Sequence, residues 1–283
     1  VWRVLDAAGI KCWNDINALK IERVLKAKRD AGLSVQSSNQ FLGAVRQFAK
    51  SVVINDFAVE DPLRVLHPLN PRMDRRLVRR AFEPDELQAL LRTTACGPVR
   101  QGLTGSERVM LYILAVESGL RANELRSLRA ASFDLATDRP TVKVAAGASK
   151  RRRDDVLPLR PETARALQVH LRNHQPWDRA FRLNKSWRAA EMLGQDRDAA
   201  GTTCADGRVL DFHSLRHTFI SNLARAGVAP RVAQALARHS TPMLTFGVYA
   251  HLGSDDERRA LTTLPDLSAV CMQSSDGPSL TAV

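Results

Sequence analysis

Cysteine is scarce in this sequence: the 283 residues contain four, at 12, 96, 204 and 271. They are too few to staple a chain of this length and too far apart for a CxxC metal knuckle, so a disulfide scaffold and a zinc ribbon are excluded. The thiols read as reduced, in a cytoplasmic setting. Long apolar runs are missing as well. The longest pattern, VMLYILAV at 109–116, is core-sized, well short of the roughly 20 residues a membrane-spanning helix needs. Neither a signal-peptide nor a transit-peptide pattern opens the chain, and its start at Val1 rather than Met predicts a further segment upstream. Acidic residues are outnumbered, 30 against 42 Lys and Arg, which leaves a formal charge of +12 and a pI near 10.3. Such an excess points to a polyanion, nucleic acid first and an anionic membrane surface second. Tyrosine is rare too, so chemistry that needs a phenol must choose between Tyr112 and Tyr249.

What is present suffices for a soluble protein of about two domains at roughly 150 residues each, because 44% of the residues are apolar. Apolar spacing predicts a helix over 13–31 closed by Gly32, and a second opening at Ser38 with Phe41, Val45, Phe48 and Val52 on one face. The segment DPLRVLHPLNP stops it. A basic linker follows, in which Arg72, Arg75, Arg76, Arg79 and Arg80 face the single acid Asp74. Solvated connectors share this composition, but a position between two helical units suits a strap whose arginines meet DNA phosphates. Further helices are predicted from Phe82, over 106–118 with Gly119 at the end, and over 122–129. TVKVAAG at 141–147 and DDVLPL at 154–159 read as a small antiparallel hairpin. Helices at 161–173, 184–194, 214–226, 230–238 and 242–250 complete the pattern, with a capping box at 254–257 and a punctuated, free loop at 196–211.

Four short segments carry chemistry: GLRANEL around Arg121, SKRRRDDVLPL around Lys150, HSLRHT with His213 and Arg216, and ARHSTPMLTFGVYAH with His239 and Tyr249. In this order they resemble the catalytic domain of the tyrosine recombinases, or phage integrase family, over roughly residues 78–265. The resemblance implies a mainly α fold with a small antiparallel β-sheet: a helical, SAM-like core-binding domain (1–68), the basic linker (69–80), an α+β catalytic domain (81–265) and a polar tail (266–283).

The same residues make chemical sense as a phosphoryl-transfer site. A phosphodiester under attack gathers negative charge on its non-bridging oxygens, and the protein's task is to position the groups and stabilise that charge. Arg121 and Arg216 supply guanidiniums, and His213 shares a helical face with Arg216 three residues on. His239 adds a donor or a proton shuttle. Tyr112 lies among apolar neighbours, where packing is its expected role, whereas Tyr249 follows His239 by ten residues near basic side chains. The resemblance makes Tyr249 the nucleophile of a 3′-phosphotyrosyl intermediate and places a general-acid lysine at Lys150. Lys143 on the same hairpin stays an alternative, and Arg151, Arg152 and Arg153 are poor proton donors because they hold their charge. Arg151 and Arg152 are read as DNA contacts.

The spacing of His213 and His217 would suit zinc, but HSLRH lacks the Glu of an HExxH site and a third ligand, so no metal and no cofactor are expected. His217 and His251 read as structural. Where the family commonly has Leu-Gly before its second histidine, this chain has Ala237 and Arg238, which makes Arg238 a candidate DNA contact. The expected partner is double-stranded DNA, bound as a homodimer on each site and a homotetramer in synapsis, with no membrane and no small-molecule substrate. Competing readings are a type IB topoisomerase-like enzyme, disfavoured by the His213 and Arg216 pairing, and a DNA-binding protein of the same fold that no longer cuts.

Overall fold

The computed structural model describes residues 1–74, 76–149, 152–202 and 207–249; Arg75, Lys150, Arg151, His251, the predicted capping box at 254–257 and the tail lie outside them. The chain divides into two units, Val1–Val78 and Arg79 onward.

The first unit holds α1 (Trp2–Leu5), α2 (Ala18–Asp30) and α3 (Val35–Ile54). α2 starts later than the predicted residue 13. Asn17 takes the cap, its side chain accepting from the Leu19 N–H at 2.8 Å, while Trp13–Asp15 forms a separate 3-10 turn. Gly32 closes α2 as predicted: at φ +100° it lets the Leu33 N–H reach the Lys28 carbonyl at 2.8 Å. α3 starts earlier than predicted, because Ser34 rather than Ser38 is its cap, accepting from the Ser37 N–H at 3.1 Å. Ser38 is buried and accepts from Arg29 at 2.9 Å. Ile21 and Leu25 of α2 meet Leu42, Val45 and Ala49 of α3 in the core, joined by Leu63 and Leu66.

The first part of the predicted linker packs on this unit. Asn39 bonds the Leu69 main chain in both directions, at 2.7 and 3.0 Å. Asp74 accepts from the Val35 N–H and from Arg76, each at 2.7 Å, and Arg76 also donates to the Gly32 carbonyl at 2.6 Å. A cation is thus set at the negative end of α2.

The second unit is helical around one small sheet. α4 (Pro84–Ala95), α5 (Gly105–Ser118) and α6 (Ala122–Ser127) precede β1 (Phe133–Asp134), β2 (Thr141–Val144) and β3 (Asp155–Pro158). α7 (Pro161–Leu171), α8 (Ala189–Ala199), α9 (Phe212–Arg225), α10 (Pro230–Ala237) and α11 (Met243–Tyr249) follow. The strands are antiparallel in the order β1-β2-β3, with Val142 opposite Leu157 and Lys143 opposite Val156. Val142, Val144 and Leu157 face the core, as period-two alternation requires. The hairpin is joined by a third strand, β1, too short to show a period in the sequence. α5 is the central helix, packed against α4, α7 and α9.

α8 runs over 189–199 rather than 184–194, and the start of the supposed free loop belongs to it. The reason is Asp196, which is 2% exposed and shares the buried face of α8 with Met192 and Leu193. Its carboxylate accepts from Arg108 at 2.8 and 3.1 Å, from Arg100 at 2.9 Å and from the Tyr112 hydroxyl at 2.8 Å. Arg108 is wholly buried and gives its remaining donors to the Pro98 and Leu103 carbonyls. Tyr112 therefore packs, as predicted, with its hydroxyl satisfied in the core. Removing one member of a buried ion pair typically costs about 3–5 kcal/mol because the other charge is left uncompensated. Asp196→Ala should lower the unfolding free energy by roughly that amount in chemical denaturation; a loss below about 1 kcal/mol would show that the cluster does not hold α8 to α5.

Candidate active site

α9 is positioned at its first turn. Asp211 caps it, accepting from the His213 and Ser214 N–H groups at 2.9 and 3.2 Å and from Arg79 at 2.8 Å. Phe212 lies against Trp187 and Tyr112, with ring centroids 5.3 and 6.1 Å away. The helix starts two residues before the predicted 214 because Asp211 outcompetes later caps. His213 and Arg216 then stand on the side facing Arg121, and Leu120, Arg121, Asp211, Phe212, His213 and Arg216 line one cleft of about 220 Å³.

Arg216 is 3% exposed, and its guanidinium donates to the main-chain carbonyls of Gly119, after α5, and Ala237, at the end of α10. Burial, then the charges of Arg121 and Arg238, bring its pKa down to about 10, so it stays cationic at neutral pH. Gly119 has φ +62°, and a Cβ there would lie 2.5 Å from the Phe219 ring, so glycine is required both by the backbone and by the close approach of α9. Arg121 caps α6. Its N–H donates to Glu124 at 2.8 Å and its guanidinium to the same carboxylate at 3.0 Å. Glu124 is 1% exposed. Burial opposes its ionisation, but hydrogen bonds from Arg238 and the Arg121 main chain, with both arginine charges, hold the carboxyl below its usual range.

His239 follows α10, and its Nδ1 lies 2.9 Å from the hydroxyl of Thr245, a buried residue of α11 one turn before Tyr249. Burial, then Arg216 and Arg121, pull its pKa down to about 4. His213 is walled by protein on one side and open to solvent on the other; burial, then Arg216 and Arg79, shift it in the same direction. Both rings are therefore neutral at pH 7, each offering one N–H donor and one acceptor nitrogen. The His213 and His217 rings stand edge to face, 6.1 Å apart.

Arg121, His213 and Arg216 meet on the cleft, and the charges of Arg121 and Arg216 reach His239. Tyr249 is placed differently: its hydroxyl donates to the Val228 carbonyl, burial raises its pKa, and among the described residues no guanidinium bonds it. Lys143, the alternative acid, pairs with Asp154 at 2.9 Å on the hairpin surface. Of the basic strap, Arg79 holds Asp211 and Arg80 holds Glu86 through two bonds of 2.6 Å, while Arg72 and Arg152 are exposed. Arg238 is not a surface residue: it is 2% exposed and donates to Glu124 at 2.6 Å. Asp211 and Thr245 escape sequence reasoning. DFHS carries a legible cap signal for the first, whereas the second is revealed only by packing.

The model of the phage integrase family matches residues 80–255 of the chain. The chain belongs to the phage integrase family. Among its relatives in that family, a tyrosine recombinase of Pseudothermotoga lettingae is 26% identical over 254 residues, 88% of this chain and 83% of its own. Tyrosine recombinase XerC of Pseudomonas syringae pv. syringae is 29% identical over 250 residues, 87% of this chain and 79% of its own. Among solved structures, the Tn1549 transposon integrase in complex with a circular intermediate DNA matches with a TM-score of 0.69 and 17% identity, covering 93% of this chain and 92% of its own. The XerH site-specific recombinase bound to a palindromic difH substrate matches at 0.64 and 15%, covering 89% of this chain and 73% of its own. At these identities the structures speak for the fold.

The lowered imidazole pKa values couple to stability. An unfolded histidine takes its proton near pH 6.5, before the folded one does, so the contribution is full above that pH and is lost as pH falls towards 4. In the DNA-free protein the His239 ring signals in NMR should stay in place from pH 8 to about 5.5 and move only towards 4. A midpoint near 6.5 would mean that the ring is not desolvated.

Proposed function

We propose that this chain is a tyrosine-type site-specific recombinase or integrase, which cuts and rejoins duplex DNA through a 3′-phosphotyrosyl intermediate. The observation that carries the reading is the convergence of Arg121, His213 and Arg216 on one cleft. Two guanidiniums there suit the non-bridging oxygens of a phosphodiester, and neutral imidazoles add hydrogen bonds without adding charge.

In this reading the Tyr249 oxygen forms the bond to phosphorus and gives its proton to the acceptor nitrogen of a neutral site imidazole, His239, while the bond from phosphorus to the 5′-oxygen breaks. Lys150 returns a proton to that oxygen. One phosphoester replaces another, so a second strand can reseal the break by the reverse step, and neither metal nor nucleotide cofactor is called on. Attack requires the phenol to exchange the Val228 carbonyl for the scissile phosphate. The partner is double-stranded DNA, held as a homodimer on each site and a homotetramer in synapsis. Of the described basic residues predicted to meet DNA, Arg72 and Arg152 are the candidates for phosphate contacts, being exposed and paired with no carboxylate among the described residues, whereas Arg76 and Arg79, also exposed, and Arg80 already hold carboxylates within the chain.

The test uses a nicked duplex carrying a candidate attachment site, incubated without divalent metal and analysed on a denaturing gel. Wild type should form a covalent protein–DNA adduct, and Tyr249→Phe should form none. DNA binding without an adduct from wild type would replace the recombinase reading with a binding-only one.

A further inference from the structure

Arg238 stands where the backbone favours glycine. Its φ and ψ are +53° and +44°, in the left-handed region, directly after α10 and directly before His239. Its side chain turns inward and is 2% exposed. There Nη2 donates to Glu124 at 2.6 Å, and Nη1 lies 3.5 Å from the Asp155 carboxylate at the start of β3. Nε and Nη1 have no hydrogen-bond acceptor among the described residues.

A buried guanidinium is costly unless its charge is matched, and this one faces two carboxylates, each already committed to another part of the site. Glu124 holds the Arg121 guanidinium at 3.0 Å. Asp155 accepts from Ser149, the residue before Lys150, at 3.4 Å, and from Arg153 at 3.2 Å. Arg238 itself is followed by His239, and the Ala237 carbonyl before it receives Arg216. One side chain therefore touches the segments that carry Arg121, the hairpin and His239.

We propose that Arg238 is a positioning residue for strand cleavage, acting through Glu124 on Arg121 and through Asp155 on the hairpin. The proposal rests on the recombinase reading. Arg238 is too buried to reach DNA; it sets the spacing of the groups that do. If it merely occupied a glycine position, Arg238→Gly would remove an unfavourable backbone conformation and leave cleavage unchanged.

The experiment is single-turnover cleavage of the nicked duplex at saturating protein, with DNA affinity and thermal unfolding measured on the same full-length variants. Arg238→Gly should slow adduct formation at least tenfold while changing DNA affinity less than threefold. Arg238→Lys keeps a cation but cannot span both carboxylates, so its rate should fall between the two. Combined with Glu124→Gln, Arg238→Gly should add less than its loss in the wild-type background, because the two changes share the Glu124 link and only the Asp155 link is left to break; a purely structural arginine would give multiplying effects. Cleavage by folded Arg238→Gly at the wild-type rate overturns the proposal and leaves the recombinase reading intact. If Arg238→Gly does not fold, a wild-type rate for Arg238→Lys overturns it instead. Absence of adduct from wild type overturns the recombinase reading and the proposal with it.

Discussion

The arrangement of the second unit hangs on a cation that meets no carboxylate directly among the described residues. Arg216 spends donors on two main-chain carbonyls, those of Gly119 and Ala237, and so joins the end of α5 to the end of α10 across α9. Each of those carbonyls lies within two residues of another site residue, Arg121 on one side and His239 on the other. Fixing two pieces of backbone therefore fixes two side chains that are far apart in sequence. The close contact of Gly119 with Phe219 serves the same end, since a larger residue would push α5 away from the helix that supplies the clamp.

This geometry concentrates positive charge. Arg121, Arg216 and Arg238 act on one another, with the buried carboxylate of Glu124 as the local counter-charge. Unlike charges placed in water, these are weakly screened, and those of Arg216 and Arg121 add to burial, the larger cause, in suppressing the protonation of His239. In the recombinase reading, a phosphodiester bound there would relieve that repulsion.

Much of this was legible in the sequence, and the limits follow from what local patterns encode. Arg121, His213, Arg216 and His239 are brought within electrostatic reach of one another from three stretches of sequence, and the ordered segments were enough to group them. Gly32 and Gly119 ended helices where their chemistry says they should. What escaped depends on tertiary partners. Asp196 reads as loop punctuation until Arg100, Arg108 and Tyr112 are seen around it. Arg238 reads as a surface base until Glu124 is found beside it. Ser38 is a plausible cap by type, but Ser34 captures the first turn of α3 and leaves Ser38 to Arg29. Helix starts moved because several polar residues compete for each cap, and the buried face of α3 runs through Leu42, Val45 and Ala49, with the predicted Phe41 and Phe48 at its edge.

The contrast between the two tyrosines has a practical consequence. Tyr112 is sealed in the core, with its phenol held against ionisation by burial and by Asp196, whereas Tyr249 is half-buried at the end of α11. A chain with two such phenols is a ready spectroscopic pair. Fluorinated tyrosine would give two fluorine signals, one a fixed internal reference from the core and the other a direct monitor of the Tyr249 environment as DNA is added.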